Sequence, residues 1–306
     1  MGEVIELRSG EYRARVDRTG AGLRALTWRG RDVVWPYDGD GPKAFQGQVL
    51  APWPNRVTEH GYRFDGVEYR PEPNDPATGT AIHGLVHDQA WTPTSVSGDA
   101  VELRLDFGGG PGFPFPLAMT VAYRLSDDGL TVATTARNPG GSPLPFGLGF
   151  HPYLTFGEPL SALAARGEFA LEVTAGTRQP VDGQMLPVGD PVPVDGGEFD
   201  FRTPGRQLGD TVLDTAFTEL ERDTDGRAWV RASGPEHRVS LWCDRSFGWL
   251  QLFTADTLGG DDHRAHLAAE PMTCPANALA TGTDLIVLAP GESTEHVFGI
   301  LAEPLA

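Results

Sequence analysis

Residues 119–137 read MTVAYRLSDDGLTVATTAR. Met119, Val121, Tyr123 and Leu125 alternate with smaller or polar neighbours, the period of a strand with one face in a core. Ser126-Asp127-Asp128-Gly129 then supplies turn chemistry, and Leu130 to Arg137 resumes the strand pattern, so the stretch is a predicted β-hairpin. Val101 to Phe107 adds a strand before it.

The same punctuation recurs in both directions. Toward the N-terminus, Val4 to Leu7, Tyr12 to Val16, Leu23 to Trp28 and Asp32 to Trp35 are short strand patterns divided by turns. Tyr62 to Phe64 and Val67 to Tyr69 flank Asp65-Gly66, a pair preferred in two-residue hairpin turns. Toward the C-terminus, Phe169 to Val173, His237 to Cys243, Trp249 to Thr254, Asp284 to Leu288 and His296 to Leu301 read as strands, and Leu258 to Ala269 is the one stretch with room for a short helical turn. With no alternation of strands and helices, no linker and no repeat, the expectation is all-β: an antiparallel sandwich in one domain, residues 1–306.

Composition narrows the function. The 306 residues include 39 Gly and 26 Pro, spread as strand punctuation, and the formal net charge is -18. That field opposes nucleic acid and anionic membranes as partners. Lys43 is the single lysine, and Gly41-Pro42-Lys43 does not fit a phosphate loop, so lysine-based covalent chemistry is set aside. Cys243 and Cys274 make no thiol framework, no apolar run reaches membrane length, and none near the start resembles a signal peptide; the expected location is cytoplasmic.

Polar islands interrupt the apolar strands. His151, in PFGLGFHPYL (145–154), is held between Phe150 and Pro152, as either a core histidine at a strand end or an acid. Pro52-Trp53-Pro54-Asn55-Arg56 presents an amide and a guanidinium on a stiffened segment. His83 and His87 have the spacing of a helical zinc pair, but Gly84 between them argues against a helix. Asp214 in LDTAFT is a lone carboxylate, in turn chemistry or in a site. Glu270 follows Leu267-Ala268-Ala269, an apolar lead-in that would desolvate it. A His and a Glu facing one small substrate can pass protons both ways without a metal or organic cofactor.

Taken together, Asn55-Arg56, His83-Gly84, His151-Pro152-Tyr153, Asp214 and Glu270 resemble, in order and separation, the aldose 1-epimerase family, from about Leu23 to Pro290-Gly291-Glu292. The resemblance implies a galactose mutarotase-like β-supersandwich that interconverts sugar anomers with no cofactor and no metal. It further implies Glu270 as the base at the C1 hydroxyl, His151 as the acid at the ring oxygen and His83 as a second histidine near that oxygen. Arg56, Asp214 and Asn55 become ligands of substrate hydroxyls. Two departures bear on the sugar: Leu154-Thr155 follows His-Pro-Tyr, where Phe-Asn is common, and Glu270-Pro-Met-Thr-Cys-Pro275 is similar to a bacterial subgroup that includes sulfoquinovose mutarotases. A neutral hexose, a phosphorylated or sulfonated hexose and a non-catalytic sugar-binding module are the readings to separate. A metal enzyme using His83, His87, His263 or His266 is the remaining one.

Overall fold

A computed structural model describes residues 4–39 and 41–305. The hairpin at 119–137 is at its centre: Leu117–Ser126 pairs with Gly129–Arg137, and their side chains alternate between buried and half-buried or exposed positions. One eight-stranded sheet runs in the order Thr92–Val96, Ala100–Phe107, Leu117–Ser126, Gly129–Arg137, Ser293–Pro304, His237–Cys243, Ala228–Ser233, Ala170–Val173. The second follows Val192–Pro193, Ala175–Arg178, Asp214–Leu220, Trp249–Phe253, Leu267–Met272, Gly149–Phe150, Val49–Leu50, with Tyr153–Leu154 also on Leu267–Met272. A four-stranded meander covers 4–32, and Tyr12 at its second strand exchanges hydrogen bonds of 3.0 and 2.9 Å with the backbone of Ala302. All ladders between these strands are antiparallel, so the all-β expectation holds.

Several elements differ from the sequence reading. The short helical turn expected within Leu258 to Ala269 is the 3-10 turn Gly260–Asp262, but Leu267–Met272 is a strand that the sequence reading did not assign. The strand is buried on both faces, so its apolar residues do not alternate and the alanines mimic a helix. Leu160–Ala165 and Ala278–Thr281 are short helices that the turn-rich composition hid. Asp214 opens the strand Asp214–Leu220 instead of sitting in a turn. The Asp65-Gly66 hairpin forms as expected, both residues having positive φ (47° and 78°).

Burial of one histidine gives this sheet packing a pH signature. His296, 1% exposed, lies against Phe146 and Phe247, and burial lowers its pKa to about 4. In the unfolded chain an imidazole titrates near 6.5. The folded pKa is depressed, so this contribution to stability is complete above about pH 6.5 and is lost as pH falls toward 4. Chemical denaturation at pH 7 and pH 5 should show a difference in unfolding free energy about 2 kcal/mol larger in the wild type than in His296→Leu. An equal difference in both proteins would contradict this.

Candidate active site

The second sheet builds the site by register. Gly149 pairs with Met272 and Tyr153 with Ala268, so continuing the same ladder places His151 opposite Glu270. Pro152 and Pro271 lack the N–H that a regular ladder needs, and the strand is interrupted at this point. On the other side, Gln251 stands opposite Glu270, and Phe253 opposite Asp214. Because side chains alternate across a strand, Asp214, Gln251, Glu270, His151 and Tyr153 share one face. The neighbouring residues Leu250, Leu252, Leu267, Ala269 and Phe150 point into the main core.

The meeting of His151 and Glu270 is close and buried. Nε2 of His151 lies 3.3 Å from Oε1 of Glu270, with the two side chains 5% and 3% exposed. Burial raises the Glu270 carboxyl well above its ordinary value; Asp214 adds to this and Arg56 opposes it. Burial lowers His151 to about 3. Both directions favour the neutral pair, one proton shared between the two groups, over the ion pair. Glu270 Oε2 and His151 Nδ1 have no hydrogen-bond partner among the described residues. Stacking on Tyr153, with centroids 4.8 Å apart, orients the imidazole, and the Tyr153 hydroxyl donates to the Ala44 carbonyl at 3.2 Å.

His83 comes from a different part of the chain. Ala81–Ile82 pairs with Arg56–Val57, which brings His83 beside Asn55. The Asn55 N–H donates to His83 Nδ1 at 3.2 Å, so Nδ1 is the acceptor and Nε2 carries the proton. Its ring packs edge-on to His151, centroids 5.2 Å apart. Both His83 and Gly84 have positive φ, and a Cβ on Gly84 would lie 2.0 Å from the Ala51 carbonyl oxygen; only glycine lets the chain pass there. This explains the His-Gly pairing in the sequence.

A cavity of about 140 Å³ lies over this face, lined also by Asn55, Arg56 and Asp214. All six residues singled out in the sequence therefore border one space. Their contacts differ from a simple row of ligands. Asn55 spends its carbonyl oxygen on its own neighbour, accepting from the Arg56 N–H at 2.9 Å. Asp214 accepts from Gln251 Nε2 at 2.6 Å, and burial raises its pKa against the opposing pull of Arg56 and Gln251.

Two groups that line the cavity, Phe45 and Gln251, and one behind Arg56, Asp75, were not singled out from the sequence. Phe45, with φ of 60°, lays its ring beside His83, His87 and His151, and nothing periodic in its loop marks it. Gln251 carried a signal that was missed: a polar residue between Leu250 and Leu252 in an otherwise apolar strand. Asp75, from the loop before Thr80, binds Arg56 Nε at 3.0 Å.

Among the described residues, His83, His151 and Glu270 are the one group of potential metal ligands close together, with ligand atoms within 4.8 Å. The His83 tautomer argues against a metal there, since the Nδ1 lone pair is engaged by Asn55 and Nε2 is protonated. His87 instead packs on Phe45, His266 stacks on Trp35 at 4.3 Å, and His263 Nδ1 lies 2.9 Å from the Asp256 carbonyl.

Comparison with known proteins agrees with this architecture. The protein of Escherichia coli (strain K12) named uncharacterized protein YihR is 32% identical over 305 residues, covering 99% of this chain and 94% of its own. Human galactose mutarotase is 31% identical over 230 residues, covering 69% of this chain and 64% of its own. Among solved structures, the GalM/aldose epimerase homologue from C. elegans superposes with a TM-score of 0.87 at 20% identity, over 100% of both chains. The galactose 1-epimerase from Lactobacillus acidophilus NCFM gives 0.79 at 20% identity, over 97% of this chain and 92% of that one. These likenesses establish a galactose mutarotase-like fold. The family profile described as aldose 1-epimerase matches residues 3–301, and with that span of agreement the chain belongs to the aldose 1-epimerase family.

Proposed function

We propose that the protein is a cofactor-independent mutarotase that interconverts the α and β anomers of a free neutral hexose, acting as one domain over residues 1–306. The observation that carries this is the 3.3 Å approach of two buried titratable groups, His151 and Glu270, on the floor of a cavity of about 140 Å³. A continuous core from Leu7 to Ala302 supports the single domain.

In the reactive form the shared proton sits on His151 and Glu270 is a carboxylate, one proton hop from the neutral pair. Glu270 takes the proton of the C1 hydroxyl while His151 gives its proton to the ring oxygen. The bond from C1 to the ring oxygen breaks and C1 becomes a carbonyl. After rotation about C1–C2 the freed hydroxyl attacks the other carbonyl face, returns a proton to His151, and Glu270 protonates the carbonyl oxygen. His83 offers its Nε2–H beside the ring oxygen, and Arg56 and Asp214 hold hydroxyls with Asn55 bracing Arg56. Arg56 is the one permanently cationic side chain among the described residues lining the cavity, and Asp75 matches its charge, which supports a neutral sugar. Lys43 is paired to Asp262 at 2.9 Å.

Polarimetry with freshly dissolved galactose, glucose and glucose 6-phosphate tests this. Micromolar protein should speed equilibration of a neutral hexose by at least about 10-fold over the spontaneous rate, well within the range of enzymic acceleration. Acceleration of the phosphate ester alone would move the substrate class, and no acceleration of any aldose would end the proposal.

A further inference from the structure

Arg56 is gripped on one side by a carboxylate that does not touch the rest of the site. Asp75 Oδ2 accepts from Arg56 Nε at 3.0 Å and from the Thr78 hydroxyl at 2.8 Å, while Oδ1 accepts from the Ala77 N–H at 3.1 Å. The Thr78 hydroxyl also lies 2.7 Å from that of Thr80, whose residue bridges back to Asp75. Both ends of the ion pair are largely buried, with side chains 14% and 13% exposed. Arg56 Nη1 has only a long contact of 3.5 Å, to Asn55, and Nη2 has no hydrogen-bond partner among the described residues. Fixing Nε fixes the plane of the whole guanidinium, so the two Nη groups are left for a ligand.

We propose that Asp75 is a positioning residue of this site: it aims Arg56 at the sugar hydroxyls and offsets part of its charge, which weakens the pull of Arg56 on the proton shared by His151 and Glu270. The inference rests on the mutarotase reading above. Glu270 is faced by His151 and Tyr153 from the adjoining strand segments, by Asp214 and neutral Gln251 across the sheet, and by His83 and Arg56 from the 55–83 region. Of these, Arg56 is the permanent cation, and Asp75 is its ion-pair partner. The Asp75 carboxyl is pushed up by burial, but its bonds from Thr78 and Arg56 together with the Arg56 charge outweigh that and leave it below the usual range. It is therefore ionised at neutral pH. Without it, the uncompensated guanidinium favours proton loss from the pair.

Steady-state anomerisation by Asp75→Asn, Asp75→Glu, Arg56→Ala and the double variant Arg56→Ala/Asp75→Asn reads this out against the wild type. Asp75→Asn should raise KM about 10-fold, the scale of a hydrogen bond to a charged group, with kcat within about 3-fold. The alkaline limb of kcat/KM, where the pair loses its proton, should move to lower pH by about half a unit. Asp75→Glu should recover most of the affinity, and in the Arg56→Ala background the Asp75→Asn change should leave KM unmoved. Asp75→Ser is measured alongside, so that a folding defect of one replacement does not decide the result. An active wild type whose KM and alkaline limb ignore Asp75→Asn overturns the proposal, as does a KM effect of equal size with and without Arg56. A wild type inactive on every aldose overturns the mutarotase reading itself, and this one with it.

Discussion

Glu270→Gln is expected to slow anomer exchange by about 100- to 10,000-fold, the range for removal of a positioned base. The amide has nearly the same shape, and the native carboxyl is already driven toward its neutral form by burial, so the fold should be retained. What disappears is the capacity to take the C1 hydroxyl proton. The measurement is magnetisation-transfer NMR between the anomers at equilibrium, with the spontaneous rate subtracted and circular dichroism as the control for folding. A rate equal to that of the wild type would remove Glu270 from the mechanism.

His151→Ala should produce a loss of the same order, about 100- to 10,000-fold, through the other oxygen. The backbone at this position is tied independently of the ring: the His151 N–H donates to the Gln48 carbonyl at 3.2 Å and the Gly47 N–H to the His151 carbonyl at 2.9 Å. Truncation should therefore leave the chain path in place and remove the proton source. Groups that act as a unit lose their effects non-additively, so the double variant with Glu270→Gln should be about as slow as the slower single variant. Multiplied losses in the double variant would mean that the two groups act in separate steps. A purely structural imidazole would show itself as lowered stability with an unchanged rate.

Local sequence was informative wherever one strand face meets solvent or half-buried surroundings. The 119–137 hairpin and the Asp65-Gly66 turn were legible because alternation and turn chemistry are short-range properties. Leu267–Met272 was not, because enclosure on both faces erases alternation. The candidate residues were legible as polar interruptions of apolar runs, and the resemblance supplied their grouping. Asp75 lay beyond that reach: its importance comes from the fold returning a loop to Arg56, 19 positions away, a relation no periodicity encodes. Phe45 was hidden for the same reason.

The register around His151 and Glu270 has a consequence for how such a protein can change. A slip of a single position between those two segments would turn one partner toward the opposite side of the sheet, so gradual drift of the proton-transfer machinery is blocked. The segments that carry Asp75 and Leu258 are loops outside that sheet, so residues there can change without shifting its register. Diversification toward new sugars is thereby channelled into the rim, and transplanting those segments between homologues is the direct route to redirecting substrate choice.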